Sequence, residues 1–339
     1  MNDGNTFSYG ELVEEGQRRL AAAGVEEAAV DAWLLFSYDK KVDRTWYLLN
    51  RTQRASGEEQ EAYLKLIARR CERVPLQHIT GEQEFMGLPF RVTPDVLIPR
   101  QDTEVLVEEC LRHLAPGNIF LDLCTGSGCI LVSLLHYAKG TFGTGADLSG
   151  KALAVAKGNV EANGVEARLV QGDLFEPVTG TFDLIVSNPP YIPSRDIGEL
   201  DTSVKDYEPH LALDGGEDGL DFYRSISEKW KEALAPGGRL YFEVGIGQAD
   251  NVLRIMRTQG FGDIQVVKDH NDIPRVVFGA RDPKAGACGS VCDLFSEPFN
   301  HHPACTAGVL EEPCAQILRD FFRNLRVELP NRTKWKRPE

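Results

Sequence analysis

One tetrapeptide of this chain, Asn188-Pro189-Pro190-Tyr191, combines a primary amide, a backbone carbonyl and an aromatic ring. It follows an apolar run at 182–187 that is typical of a buried strand. Neither proline can donate to a sheet, so the chain must leave at the carboxyl end of a strand, where open α/β sheets bind ligands. Two acceptor oxygens and a flat ring suit a planar NH2 group, as on glutamine or adenine. The alternative interpretation is a proline-rich turn with a partly buried tyrosine.

A glycine-rich turn lies upstream, between a short apolar strand at 118–123 and an apolar helical run at 129–137. Its residues are Cys124, Thr125, Gly126, Ser127 and Gly128. A turn of this kind lets the backbone approach a ligand closely at a helix N-terminus. The glycine spacing is not that of a dinucleotide fingerprint, and no Gly-Lys-Ser/Thr closes it as in a P-loop.

Two aspartates follow the next two predicted strands. Asp147 ends the strand at 141–146 and is suited to accept from both hydroxyls of a ribose. Asp173 follows the strand at 167–171 and is suited to accept from an adenine amino group, with Leu174 covering the ring. Taken singly, each aspartate is more often a helix cap or a turn residue. Four successive strand ends with ligand-type residues nevertheless indicate a shared binding site.

These motifs resemble those of class I S-adenosylmethionine-dependent methyltransferases that act on amide or amino nitrogens. Further segments narrow the resemblance to the HemK/PrmC family, and they lie at 81–88, 98–104, 208–209, 218–224, 243–245 and 275–279. The resemblance extends over residues 7–280. It implies an enzyme that methylates the side-chain amide of the glutamine in the Gly-Gly-Gln motif of class I peptide chain release factors, with S-adenosylmethionine as cofactor.

The resemblance also implies roles for the residues at the strand ends. Asn188 Oδ1 and the Pro189 carbonyl would accept the two hydrogens of the substrate amide, and Tyr191 would pack against the amide plane. The turn at 124–128 would hold the methionine portion of the cofactor and Asp147 its ribose. The adenine would lie against Asp173 and Leu174.

Of three charged residues near the site, Arg100 and Glu243 have two interpretations each. Arg100 and Glu104 lie where the linker of the family approaches the active site, so both are expected to contact the substrate loop, although Arg100 could equally form a structural ion pair. Glu243 ends a central strand and would either orient the amino acid part of the cofactor or cap a helix.

Cys124 departs from the family, which usually has glycine there. Because cysteine tolerates positive φ poorly, either the backbone should be shifted or the conformation should not be needed.

The pattern of apolar residues predicts an α/β fold: a seven-stranded Rossmann-like methyltransferase sheet with a small N-terminal helical bundle and a C-terminal extension. The predicted division is 1–74 for the bundle, 75–100 for a linker with a hairpin at Met86-Gly87, 101–280 for the methyltransferase domain and 281–339 for the extension. Capping boxes at Ser8 and Ser56 mark two helices of the bundle. Its apolar faces are expected from Leu12, Leu20, Val30, Trp33, Leu34 and Leu35.

Composition supports an enzyme of the cytoplasm. The chain has 339 residues and a net charge of −14, which opposes general affinity for nucleic acid. No apolar run approaches the roughly 18 residues that a membrane-spanning helix needs. The eight cysteines are scattered, as is typical of reduced thiols in a cytoplasm. A monomer is expected, without contact to membranes.

The extension has its own features outside the resemblance. Four cysteines and two histidines lie there: Cys288, Cys292, Cys305, Cys314, His301 and His302. Their number would suit zinc, but no second paired spacing appears, so no metal site is predicted. An apolar stripe at helical spacing predicts one helix near the end, with Ile317, Leu318, Phe321, Phe322 and Leu325.

Three alternatives remain open from the sequence. A DNA adenine-N6 methyltransferase would act on a similar planar NH2 group after flipping the base, but the acidic balance and the absence of a basic recognition domain oppose it. A ribosomal protein glutamine methyltransferase would carry a different segment after Pro99-Arg100. A cofactor-binding scaffold would not need the complete set of strand-end residues.

Overall fold

The computed structural model describes residues 7–281, and the predicted features of the extension lie outside this range. The chain begins with four helices: α1 (Tyr9–Ala22), α2 (Ala28–Lys40), α3 (Arg44–Asn50) and α4 (Gly57–Cys71). Both predicted capping boxes are present. The Ser8 hydroxyl accepts from Glu11 N while the Glu11 carboxylate accepts from Ser8 N, and Ser56 and Glu59 repeat this pattern at α4.

The core of the bundle contains most of the predicted apolar residues. Leu12, Leu20 and Leu35 are fully buried, but Val30 is 50% exposed and Leu34 is 39% exposed. The prediction for these last two was wrong. The buried residues of α2 recur every three or four positions, as one helix face requires, and Val30 and Leu34 lie on the opposite face.

The linker begins with a short helix that the sequence did not reveal, α5 (Leu76–Thr80), followed by the predicted hairpin of β1 (Glu82–Phe85) and β2 (Leu88–Arg91). Met86 and Gly87 both have positive φ, as a two-residue hairpin turn requires. Phe85 and Phe90 are buried, and their rings meet edge to face with centroids 6.0 Å apart. The contact between these two buried rings therefore holds the two strands of the hairpin together.

The rest of the described chain alternates helices and strands. Its elements are α6 (Asp102–Leu111), β3 (Ile119–Leu123), α7 (Cys129–Tyr137), β4 (Phe142–Asp147), α8 (Gly150–Ala162), β5 (Ala167–Gln171), β6 (Phe182–Ser187), α9 (Thr202–Lys205), α10 (Asp221–Ala233), β7 (Leu234–Glu243), α11 (Ala249–Thr258), β8 (Gly262–Lys268) and β9 (Pro274–Ala280). The seven strands β3 to β9 form one sheet in the order β5-β4-β3-β6-β7-β9-β8. The predicted seven-stranded sheet is confirmed.

The sheet is parallel except for β9, which runs antiparallel to both β7 and β8. Apolar layers cover both faces, one including residues of α6 and α7 and the other residues of α10 and α11. From β3 the chain continues to β4 and β5 on one side, and then returns to place β6 on the other side of β3. This reversal opens a crevice at the carboxyl ends of β3 and β6, where such sheets bind ligands.

The helical bundle and the sheet domain belong to one compact unit. Arg73, just after α4, forms an ion pair with Asp201 at 2.5 Å, and the Tyr207 hydroxyl donates to the Glu72 carbonyl over 2.8 Å. These contacts join the bundle to the segment between β6 and α10. The division at residues 74, 100 and 280 stays a prediction. Within the described range, no helix has the length and apolar character that crossing a membrane requires.

Candidate active site

A cavity of about 620 Å³ opens at the carboxyl ends of the parallel strands. The predicted site residues that line it are Arg100, Cys124, Thr125, Gly126, Ser127, Asp147, Asp173, Leu174, Asn188 and Pro190. Glu104, Gly128, Pro189 and Tyr191 do not line it. The fold therefore brings most of the predicted residues from four strand ends to one cavity.

The turn between β3 and α7 contains a cysteine in the left-handed conformation. Cys124 has a φ of 60°, and the glycines at 126 and 128 have φ of 54° and 79°. The expectation that this conformation is not needed at Cys124 was wrong, because the conformation is present without glycine. Such a conformation costs on the order of 1–3 kcal/mol, and neighbouring bonds must hold it. Thr125 N donates to the Ala146 carbonyl over 3.0 Å, directly after Cys124.

Gly128 has a packing role rather than a place in the cavity wall. It precedes α7, and a Cβ atom there would approach the Ala156 Cβ of α8 to 3.2 Å. Its positive φ and this close approach both favour glycine. The last residue of the turn therefore lets α7 and α8 pack together.

Asp147 supports the turn and faces the cavity. Its Oδ2 accepts from Gly126 N over 2.9 Å and its Oδ1 from Ser149 N over 2.8 Å. Burial raises the pKa of this carboxyl, and the two backbone hydrogen bonds oppose the rise. A carboxylate has about four acceptor positions, so two remain for hydroxyl groups of a ligand. Asp147 is thus both the turn residue of the alternative interpretation and a candidate ligand residue.

Asp173 and Leu174 lie beside Asp147 at the end of β5 and line the same cavity. The Asp173 carbonyl accepts from Glu176 N over 2.9 Å, and Leu174 has a positive φ of 47°. The turn after β5 therefore presents one carboxylate and one apolar side chain to the cavity.

Asn188 follows β6 directly and is held by one hydrogen bond. Its Nδ2 donates to Thr103 Oγ1 over 3.3 Å. Thr103 lies in the first turn of α6, is buried, and also lines the cavity. Sequence reasoning gave Thr103 no role, because nothing in its spacing shows that α6 packs beside the end of β6.

Tyr191, the last residue of the tetrapeptide, does not line the cavity. Its ring approaches Gly245, where a Cβ atom would meet Tyr191 Cδ2 at 3.0 Å. Gln248 Nε2 donates to the Tyr191 carbonyl over 2.9 Å, and Gly215 N donates to the Ile192 carbonyl over the same distance. Burial raises the pKa of the Tyr191 hydroxyl, so the ring stays neutral. These contacts fix the direction in which the chain leaves the sheet.

The two charged residues predicted to contact substrate have different surroundings. Arg100 lines the cavity and forms an ion pair with the buried Glu208, whose carboxylate also accepts from Ile98 N over 3.2 Å. Glu104 accepts from Met86 N over 2.6 Å and so holds the turn of the hairpin. Glu104 therefore lies at the hairpin. Arg100 lies at the cavity and is already paired with Glu208.

One buried acid supports the turn from below. Asp122 is the fully buried, second-to-last residue of β3, and Thr125 Oγ1 donates to its Oδ2 over 2.6 Å. Burial raises the pKa of Asp122 to about 7, although the hydrogen bond from Thr125 lowers it.

Among residues 7–281, no group of three or more His, Cys, Asp or Glu side chains could hold a metal ion.

Two family models match parts of this chain. Residues 11–81 match the PrmC N-terminal domain, and residues 101–203 match the methyltransferase small domain. A release factor glutamine methyltransferase of Geobacter sulfurreducens is 48% identical over 77% of this chain and 92% of its own length. One of Clostridium acetobutylicum is 42% identical over 74% and 90%.

Among solved structures, a release-factor-specific protein-(glutamine-N5) methyltransferase of Alicyclobacillus acidocaldarius is 36% identical. The match covers 57% of this chain and 100% of that one, with a TM-score of 0.37. The identity and coverage of the Geobacter and Clostridium relatives show the family. The resemblance seen in the motifs is confirmed, and the chain belongs to the family of release factor glutamine methyltransferases.

Proposed function

We propose that this protein transfers a methyl group from S-adenosylmethionine to the side-chain amide nitrogen, N5, of the glutamine in the Gly-Gly-Gln motif of class I peptide chain release factors. The observation that carries the proposal is the single cavity in which Asn188 faces the same space as Asp147 and Asp173. It combines an amide acceptor with two carboxylates suited to a nucleoside. Family membership supports the choice of glutamine as the substrate.

The residues of the cavity fit this cofactor. Asp147 keeps acceptor capacity beyond its two backbone hydrogen bonds, as the two ribose hydroxyls require. Gly126 has no side chain, and a Cβ there would meet only one backbone atom at 3.9 Å, so space remains above the turn for the methionine portion. Asp173 and Leu174 supply the acceptor and the apolar cover for adenine. When bound, S-adenosylmethionine supplies an activated methyl group.

The chemistry left to the protein is alignment. An amide nitrogen is a poor nucleophile because its lone pair is delocalised. Asn188 Oδ1 accepts one of its two hydrogens and so directs the lone pair toward the methyl group, which reduces the entropic part of the barrier. The Pro189 carbonyl is the second acceptor that the family resemblance implies, although Pro189 does not line the cavity. The Tyr191 ring approaches Gly245 closely and so helps to hold this segment of the chain in place. No strong base is needed beforehand, since the proton can leave after the new bond has formed.

Recognition of a protein substrate needs surface away from the reacting amide. The helical bundle exposes several large apolar side chains, namely Val30, Leu34, Tyr38, Leu48 and Leu49. Arg100 lies at the cavity, where it would contact the substrate loop. The net charge of −14 supports a protein substrate over nucleic acid, and the proposed location is the cytoplasm, with the enzyme acting as a monomer.

The test of the proposed function is mass spectrometry of a release factor after incubation with the protein and S-adenosylmethionine. We expect one added methyl group on the glutamine of the Gly-Gly-Gln peptide and none elsewhere. A folded, cofactor-binding protein that leaves this glutamine unmodified would overturn the proposal. Methylation of another amide, or of adenine in DNA, would redirect it.

The assignment of the ribose site predicts a selective loss of cofactor affinity. Asp147→Ala should weaken binding of S-adenosylmethionine by about thirtyfold, because two hydroxyl groups each lose an acceptor, and each such hydrogen bond contributes on the order of 1 kcal/mol. Isothermal titration calorimetry measures the change. Asp183→Ala is the matched control, since Asp183 Oδ2 accepts from Ile119 N over 2.8 Å at the opposite ends of the strands. Equal affinities of the two variants would contradict the assignment.

A further inference from the structure

Glu243 is a buried acid beside the site, and it has no role in the proposed methyl transfer as described so far. It is the last residue of β7, only 2% exposed, and its Oε2 has no hydrogen-bond partner. Strands β6 and β7 are parallel, with Ser187 paired to Phe242. Asn188 directly follows Ser187 and Glu243 directly follows Phe242. The two residues therefore lie side by side where the two strands end.

Thr103 completes a group of three polar side chains. It is also 2% exposed, and its hydroxyl accepts from Asn188 Nδ2 over 3.3 Å. The Thr103 and Asn188 side chains both lie beside the Glu243 carboxyl, where they favour its ionised form and so lower its pKa. A hydroxyl that accepts through a lone pair still has one hydrogen to donate. The carboxylate, which can only accept, is the neighbour that can take it.

Other charged groups also face Glu243. Arg275 on β9 lies between Asp102 of α6 and Asp269, with ion pairs of 2.9 Å and 3.0 Å. Burial raises the pKa of Glu243 to about 7; Thr103, Arg275 and Asn188 oppose the rise, and the charge of Asp102 adds to it. Burial raises the pKa values of three neighbouring groups, those of Tyr191, Tyr223 and Cys129, and the negative charge of Glu243 raises them further. Glu243 therefore changes its charge in the neutral range.

We propose that Glu243 is a positioning residue, which acts through the Thr103 hydroxyl to keep the Asn188 oxygen directed at the substrate amide. This inference rests on the proposed function. When Glu243 is ionised, Thr103 donates to it and accepts from Asn188 Nδ2, so Oδ1 is left for the substrate. When Glu243 takes a proton from solvent, it can donate to Thr103, and Thr103 can donate to Asn188 Oδ1. The amide then turns its NH2 group to the substrate, and an NH2 group cannot accept the hydrogens of another amide.

The first test is the pH profile of kcat for methylation of a release factor. For the wild type, we expect kcat to fall about tenfold per pH unit below roughly pH 7, the pattern of one essential ionised acid. Glu243→Gln should lower kcat at pH 8 and remove this step. Thr103→Val should lower kcat about tenfold, whereas Thr103→Ser, which keeps the hydroxyl, should restore both rate and profile. The affinity for S-adenosylmethionine should stay within twofold in all variants, which also shows that they fold.

Two results of this test would overturn the proposal. A step that persists unchanged in Glu243→Gln belongs to another acid, such as Asp122, whose pKa burial also raises to about 7. A Thr103→Val variant with full kcat would show that the hydroxyl has no part in orienting Asn188.

A second test needs neither release factor nor cofactor. The side-chain amide signal of Asn188 in a nitrogen-15 NMR spectrum is assigned by its loss in Asn188→Ala. We expect this signal to shift with pH around neutrality in the wild type and to stay constant in Glu243→Gln. A signal that does not titrate in an active wild type would overturn the control of the Asn188 orientation by proton uptake at Glu243 and would leave the proposed function standing. A titrating signal in a protein that does not methylate release factors would leave the positioning role standing and remove the proposed function.

Discussion

Asn188→Ala is expected to slow methyl transfer by tenfold to a hundredfold or more while the protein stays folded. Loss of one well-placed acceptor from the transition state costs about 1–3 kcal/mol, and 1.4 kcal/mol corresponds to a factor of ten in rate. The stability cost should be small, because Asn188 is half-buried and its side-chain hydrogen bond to Thr103 is long, at 3.3 Å. Single-turnover methylation of a release factor measures the rate without the influence of product release.

A second substitution and a control make this prediction sharper. Asn188→Asp keeps an acceptor but places a negative charge beside Glu243, so we expect a loss of rate that is greatest at high pH. Asn163→Ala is the matched control, since Asn163 Nδ2 donates to the Pro89 and Asn159 carbonyls, each over 3.0 Å, and lies outside the cavity. The control should turn over at the wild-type rate. If Asn188→Ala did so as well, the assignment of Asn188 would be wrong.

The strand ends of the site could be predicted because local sequence determines them. Prolines 189 and 190 stop β6 for a covalent reason, and the segments at 141–146 and 167–171, before Asp147 and Asp173, have the length of parallel strands. Once three parallel strands are placed in one sheet, their carboxyl ends meet at the same edge. The cavity at that edge then follows from topology.

Other parts of the site depend on packing that no local pattern records. Thr103 and Glu243 are 140 positions apart in the chain, and only the packing of α6 against β7 and β9 brings them to Asn188. Glu104 looked like a substrate contact because of its neighbours in the sequence, but it accepts from Met86 N in the hairpin. Cys124 shows the same limit for the backbone, since tertiary hydrogen bonds hold a conformation that the cysteine itself disfavours.

A buried ionisable group also has a consequence for stability. Burial raises the pKa of Glu243 from its ordinary 4.5 to about 7, so at intermediate pH the unfolded chain releases a proton that the folded protein retains. The contribution of the protonated Glu243 to the free energy of unfolding is fully present below about pH 4.5. It is lost progressively as the pH rises toward 7, because the native state must then ionise a buried group. The same carboxylate form is the one that the positioning of Asn188 requires, so stability and activity oppose each other at this residue.

Glu243→Gln should therefore stabilise the protein relative to the wild type, and more so at pH 8 than at pH 5. The difference between the two pH values should be about 2–3 kcal/mol, since one pKa unit corresponds to about 1.4 kcal/mol and most of the titration lies between them. Urea unfolding of both proteins at both pH values measures it, and the comparison cancels the titration of Asp122. Glu84→Gln, on the exposed hairpin strand, is the control and should show little dependence on pH. A Glu243→Gln variant with the same relative stability at pH 5 and pH 8 would mean that Glu243 is already ionised at pH 5. The charge that holds Asn188 would then be permanent, and proton uptake would not control the orientation of the amide.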